Sequence, residues 1–182
     1  MAQRPLFLPQ AEGELLVRTV SVEFEWFAGM AVSQKQKSIA ALHQAAKQLP
    51  GVVRVLEVSS KSPEPLGVAL SAFNLTFTTR RQARTLTVES AFQASKVFEN
   101  AGPFTDLLDA PPRDAKRDER LLNSGRLIGF RFFGTDWTLE PQTAFYDWLY
   151  INALRSRAEL AAQVLAYSAF TDIEFNPRKS IN

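Results

Sequence analysis

The chain has 182 residues, 46% of them hydrophobic, and its 21 Lys and Arg against 19 Asp and Glu leave a net charge of +2. That length builds one sound core and does not call for two, and at so small a net charge any basic surface must be a local patch. With no cysteine and one histidine, His43, the composition speaks against disulfides, cysteine nucleophiles, Cys- or His-built metal sites and a Ser-His-Asp triad.

Any catalysis must therefore rest on carboxylates, lysines, amides and hydroxyls, and neither a metal nor an organic cofactor is expected. No run approaches the roughly 20 apolar residues of a membrane helix, and Met1-Ala2-Gln3-Arg4-Pro5 leads into no signal-peptide core. A soluble, cytoplasmic protein without a membrane partner is the expectation.

Leu16, Val20, Val22, Phe24 and Trp26 share one parity, and Ser21, Glu23 and Glu25 the other, which predicts a strand over 15–27 with one wet face. Ser33 and Gln36 have capping-box spacing, and the Ala-rich run behind them stops at Pro50-Gly51, predicting a helix over 34–49. Residues 52–59 then read as a second strand, and Lys61-Ser62-Pro63-Glu64-Pro65 as a hinge. Phe73, Leu75 and Phe77 alternate with polar residues, and a turn at Arg80-Arg81-Gln82-Ala83-Arg84 leads to a return strand at 85–87. Thr87 caps a helix expected over 88–99, ended by Gly102-Pro103. A further helix over 113–123 is closed by Gly125. A Phe-rich strand follows at 126–133 and turns at Gly134-Thr135-Asp136. Pro141 opens a helix reaching about 154, and Ser156 with Glu159 forms a second capping box for a helix over 157–168. His43 reads as ordinary helix surface. The sum is an α+β protein, mainly helical with a small sheet, divided into an N-terminal β-α-β lobe over 1–60 and a main domain over 66–182.

Three constellations carry chemical interest. Glu89, Gln93 and Lys96 stand at i, i+4 and i+7 and would form one polar stripe on the helix that begins at Val88. Such a row suits either a solvated face or the lining of a polar site for a polyhydroxylated, anionic ligand. Arg113, Lys116, Arg117 and Arg120 could gather donors for a pyrophosphate or a nucleic-acid backbone, although Asp114, Asp118 and Glu119 interleave as on a solvated helix. In the aromatic stretch from Trp137 to Tyr150, Phe145 and Trp148 are expected to pack inward, leaving Tyr146 or Trp137 to stack on a base. Asp147 among these rings is either a desolvated carboxylate or a hydrogen-bond partner of a Tyr or Trp.

These pieces, in this order, resemble the NADAR family, to which YbiA-like proteins also belong. The resemblance is carried by Leu70-Ser71-Ala72-Phe73, by Glu89-Ser90-Ala91-Phe92-Gln93-Ala94-Ser95-Lys96 against the family's Ser-Glu-His-x-x-Gln-x-x-Lys, by Ala115-Lys116-Arg117 and by Asp136-Trp137, covering roughly residues 66–176. Phe145-Tyr146-Asp147-Trp148-Leu149-Tyr150, Phe170-Thr171-Asp172-Ile173-Glu174-Phe175-Asn176-Pro177 and Gln34-Lys35 further resemble the NADAR proteins encoded beside DarT-type toxins. The chain departs from the pattern at Ala72 and Ala91, where other members often carry Asn and an aromatic. The subgroup usually continues beyond Ser180-Ile181-Asn182 into a Cys-containing segment, so a continuation there is an expectation.

The resemblance implies an antitoxin that removes ADP-ribose from guanine bases of DNA or RNA by hydrolysing the N-glycosidic bond. ADP-ribosylated nucleic acid and ADP-ribose are the implied ligands, and the cognate toxin is a partner. Glu89, Lys96 and Asp147 are the implied catalytic set. Ser71, Phe73, Gln93, Lys116, Arg117, Trp137, Tyr146 and Glu174 are the implied ligand contacts, Asp147 and Glu174 also serving as reserve acids. Two alternatives stand beside it: a YbiA-like N-glycosidase for small riboflavin-pathway intermediates, and a non-catalytic binder of ADP-ribose or modified nucleic acid. The additional N-terminal lobe favours the larger substrate, unless that lobe is structural only.

Overall fold

The computed structural model describes residues 1–13, 15–79 and 83–175. The Arg80-Arg81-Gln82 part of the expected turn, Asn176-Pro177 and Ser180-Ile181-Asn182 lie outside them.

Two paired strands open the chain, β1 (Ala2–Pro9) and β2 (Val17–Phe24), before helix α1 (Val32–Ala46) and strand β3 (Val55–Glu57). Strand β1 hides in the sequence because Pro5 and Pro9 each remove a ladder donor. Strand β2 keeps the expected inward parity at Val22 and Phe24, while Leu16 at its mouth is exposed rather than inward. The capping box anticipated at Ser33 does not form. The cap position is Ala31, with no side-chain bond, and Ser33 lies inside the first turn. The expected hinge gives way to helix α2 (Pro65–Leu70), begun by Pro65 at a first-turn position where its missing N–H costs nothing.

Strands β4 (Thr76–Thr78) and β5 (Thr85–Thr87) form a hairpin leading straight into α3 (Val88–Ala94). That helix is shorter than the expected 88–99. Ser95 turns its hydroxyl back to the Ala91 carbonyl at 2.7 Å, and residues 96–98 become strand β6 (Lys96–Phe98). The helix expected over 113–123 is likewise two, α4 (Pro112–Arg117) and α5 (Arg120–Asn123). Asp118 breaks it with an extended backbone and accepts from the Arg120 N–H and guanidinium. Gly125, at φ 85°, closes this segment as expected.

Strands β7 (Leu127–Phe132) and β8 (Thr135–Trp137) come next, then α6 (Ala144–Arg155), α7 (Ala158–Val164) and β9 (Ala169–Thr171). Helix α6 starts three residues later than Pro141 suggests. Ser156 serves α6 as its C-cap, bonding the Ala153 carbonyl, instead of opening the next helix.

Contacts divide the described residues into two compact units, one of Met1–Ser71 with 159–175 and one of Ala72–Ala158. The first holds a sheet of order β2-β1-β9-β3. Strand β9 enters between the N-terminal strands, antiparallel to β1 and parallel to β3 with Val55 opposite Ala169 and Glu57 opposite Thr171. The expected strand-helix-strand is thus joined by β1 ahead of it and by β9 from the far end of the sequence. Ile39 and Leu42 of α1 pack with Leu6, Phe24, Val55 and Ile173 to form this unit's core.

The second unit combines the β4-β5 hairpin with a three-stranded sheet of order β6-β7-β8. Its centre is Phe145 of α6, 1% exposed, ringed by Phe92, Phe130, Phe132, Trp137 and Trp148 at centroid distances of 4.9 to 6.5 Å. Phe145 packs inward as expected. Trp148 remains 41% exposed, because it meets the cluster from the rim while Trp137 takes the nearer place against Phe145. The α+β class read from the sequence holds.

Candidate active site

Helix α3 is fixed at its start by three bonds. Thr87 accepts from the Ser90 N–H at 3.1 Å, Ser90 donates to the Ala110 carbonyl at 2.9 Å, and the Glu89 N–H donates to the Ala72 carbonyl at 2.9 Å. These ties leave Glu89, Gln93 and Lys96 only 5%, 5% and 6% exposed, which removes the solvated-face reading. Lys96 arrives from the first residue of β6, opposite Phe130, rather than from the same helical face.

The Gln93 amide donates to Glu89 Oε1 at 2.8 Å, and Lys116 Nζ of α4 stands 3.7 Å from the same oxygen. Gln93 Oε1 is buried without a hydrogen-bond partner among the described residues, an arrangement that costs free energy while it remains unmet. The Lys96 ammonium lies 5.2 Å above the Phe92 ring, and no described carboxylate comes within 4.0 Å of it. Burial depresses its pKa, opposed by the nearby Glu89 charge and reinforced by Lys116. Lys116 Nζ sits 5.1 Å over the Phe73 ring, with more than half of its side chain in solvent.

Glu89, Gln93, Lys96, Lys116 and Phe73 therefore come together. Tyr146 adjoins them through Phe92, meeting that ring edge-on at 5.2 Å. Other candidates make different contacts. Arg117 ends α4 exposed, and Trp137 belongs to the Phe145 cluster. Asp147 is exposed and accepts from the Thr143 hydroxyl at 2.8 Å, so its partner is neither a Tyr nor a Trp. Arg120 turns from Lys116 to Asp106 and Asp118, at 2.6 and 2.8 Å. In the first unit, Ser71 is the buried C-cap of α2, and Glu174 is an exposed partner of Lys35 at 3.4 Å.

A second buried polar group in the first unit escapes the sequence reading. Thr171 donates to Glu57 Oε2 at 2.7 Å, the Ile173 N–H donates to Glu57 Oε1 at 2.8 Å, and His43 Nε2 lies 3.0 Å from the Thr171 hydroxyl oxygen. His43 is thus part of the interior rather than helix surface. Since the Thr171 proton is committed to Glu57, the Nε2–H form of His43 is the donor there. Burial lowers the His43 pKa to about 4, and burial beside Glu57 raises that of Asp172 to about 6. Burial also raises Glu57. The available signal was a carboxylate inside the apolar run Val55-Leu56-Glu57-Val58. Among the described residues no group of three or more His, Cys, Asp or Glu is placed to hold a metal ion.

The family model of DarT1-associated NADAR antitoxins matches residues 2–182. No curated protein matches the chain.

Proposed function

The chain belongs to the DarT1-associated NADAR antitoxins, and from that premise we propose that it reverses its toxin's modification as an ADP-ribosyl glycohydrolase, freeing guanine bases of DNA or RNA from ADP-ribose. The observation that carries this reading is a buried acid, amide and ammonium in which one acceptor oxygen, Gln93 Oε1, finds no hydrogen-bond partner among the described residues. A protein has no stabilising use for such a set in its interior, whereas a ribose offers the donors it lacks.

In the proposed reaction, water adds to ribose C1 as the C1–N bond breaks. The bonding pair leaves with the guanine nitrogen, which gains a proton, and positive charge builds on the sugar in between. Glu89 Oε2 accepts the water proton or faces the cationic sugar, and the Gln93 amide holds Glu89 by its other oxygen. Gln93 Oε1 accepts from a ribose hydroxyl. Lys96 faces phosphate charge in a site where burial already disfavours an unneutralised ammonium. Lys116 and Arg117 are assigned to the pyrophosphate, and Phe73, under the Lys116 ammonium, to an adenine or guanine face. Trp137, Tyr146 and Asp147 remain secondary contacts of this proposal.

The test is release of free ADP-ribose, followed in parallel on ADP-ribosylated DNA, ADP-ribosylated RNA and the modified free nucleoside. Release from modified nucleic acid is expected. Tight binding without release would make the protein a clamp, and activity confined to small nucleosides would favour the YbiA-like alternative.

A further inference from the structure

Strands β7 and β8 are joined by two residues, Phe133 and Gly134, with Phe132 opposite Thr135. Both loop residues have positive φ, 46° and 85°, which defines the tight turn that ordinarily takes Asn-Gly or Gly-Gly. A bulky aromatic in the left-handed region is an outlier that the rest of the structure must hold in place. The core does not explain it, since Phe133 is 49% exposed and meets the cluster only edge-on, 4.6 Å from Phe132.

Phe132 in turn touches Trp148 edge-on at 6.1 Å, and Trp148 leans on Trp137 at 5.2 Å while 41% of it faces water. Two half-exposed rings from separate elements are thus held by buried neighbours. Along α6, Asn152 and Arg155 follow Trp148 at i+4 and i+7, on the same stripe. Arg155 is exposed, with no carboxylate within 4.0 Å among the described residues. Asp147, the acid beside Trp148, is engaged by Thr143.

Fixed ring faces with an uncommitted guanidinium in line match the chemistry of unpaired bases on a phosphate backbone. We infer that Phe133 and Trp148 form a stacking platform for single-stranded nucleic acid, with Arg155 meeting a backbone phosphate. The inference rests on the nucleic-acid reading above and extends it, assigning this surface to nucleotides flanking the modified guanine. Steps of 5.2, 6.2 and 6.5 Å link Lys96 to Trp148 through Phe92 and the buried Phe145, which bounds their straight-line separation at the span of a few extended nucleotides.

Fluorescence anisotropy of the full chain with short, labelled, unmodified single-stranded DNA and RNA tests it. Phe133→Asn should weaken binding roughly tenfold and raise the melting temperature, because Asn suits the turn that Phe strains. Arg155→Gln should weaken binding and lower the salt dependence by about one phosphate contact. Both variants should hydrolyse the modified free nucleoside at the wild-type rate. Oligonucleotide affinity unchanged in both variants overturns the platform, as does a wild-type chain that binds no oligonucleotide. Loss of toxin binding with oligonucleotide affinity intact also overturns it, by assigning the face to a protein. A wild-type chain that binds oligonucleotides yet releases no ADP-ribose from any substrate sinks the hydrolase reading and leaves the platform standing.

Discussion

Two buried polar groups, one around Glu57 and one around Glu89, differ in how they are completed. Around Glu57 both carboxylate oxygens accept hydrogen bonds, from Thr171 and the Ile173 N–H, and His43 completes the chain through Thr171. Around Glu89 one oxygen is served by Gln93, and among the described residues the outer oxygen of that amide has no partner and Lys96 has no carboxylate in contact range. Interior polar groups are stabilising when all are satisfied and costly when some are not. The first group therefore reads as a brace that ties β3 to β9, and the second, under the proposed function, as the place where a ligand supplies the missing partner.

The largest expected effect breaks the open group. Glu89→Gln keeps the shape and removes the charge, so turnover on ADP-ribosylated nucleic acid should fall at least about a hundredfold while ADP-ribose affinity is largely kept. Unchanged turnover in single-turnover assays would remove Glu89 from the chemistry. Breaking the closed group should act on stability instead. Thr171→Val leaves a buried carboxylate short of a donor, and denaturant titration should show a loss of about 1–3 kcal/mol, with hydrolysis per folded molecule unchanged. If Thr171→Val were neutral, the brace would have no energetic content.

A milder contrast comes from Gln93→Leu, which removes the orphaned acceptor. Calorimetric titration should show ADP-ribose bound roughly tenfold more weakly, with folding stability altered by less than about 1 kcal/mol, because the lost bond to Glu89 is offset by the orphan removed. A stability loss as large as that of Thr171→Val would erase the distinction between the groups.

The smallest effect is in pH dependence. His43, at about 4 when folded against an ordinary 6.5, takes up its proton more readily unfolded, so it withdraws stability as pH falls from 6.5 toward 4. Asp172, at about 6 when folded against 3.8, is penalised as a buried anion above pH 6 and recovers that stability on acidification. In wild type the two oppose each other. Asp172→Asn should therefore melt higher than wild type at pH 8 and lose more stability between pH 6.5 and 4. Parallel melting curves across that window would show that Asp172 is not strained by its surroundings.

Local signals in the sequence carried much of the candidate site and little of the brace. The Glu89, Gln93 and Lys96 spacing picked out side chains that the fold buries together, although Lys96 reaches the group from a strand after Ser95 ends the helix. Helical periodicity does not foresee that early end, which depends on pairing between β6 and β7. His43 looked like surface because its partner is 128 residues away, and β9 is three residues long, too short for any pattern. Strand β1 was masked by its two prolines, and Phe133 by a turn signal assigned to the next three residues. Legibility thus followed sequence separation: what neighbours decide could be read, and what distant strands decide could not.

The seat of β9 in the sheet sets a clock on synthesis. Glu57 waits for Thr171 across 114 residues, which at ordinary elongation speeds takes roughly 6 to 20 seconds. Through that interval β3 lacks its parallel neighbour and Glu57 its donors. The nascent segment up to β3 is then in its most vulnerable condition, open to proteases and chaperones, and an antitoxin built this way becomes durable only after β9 has been made.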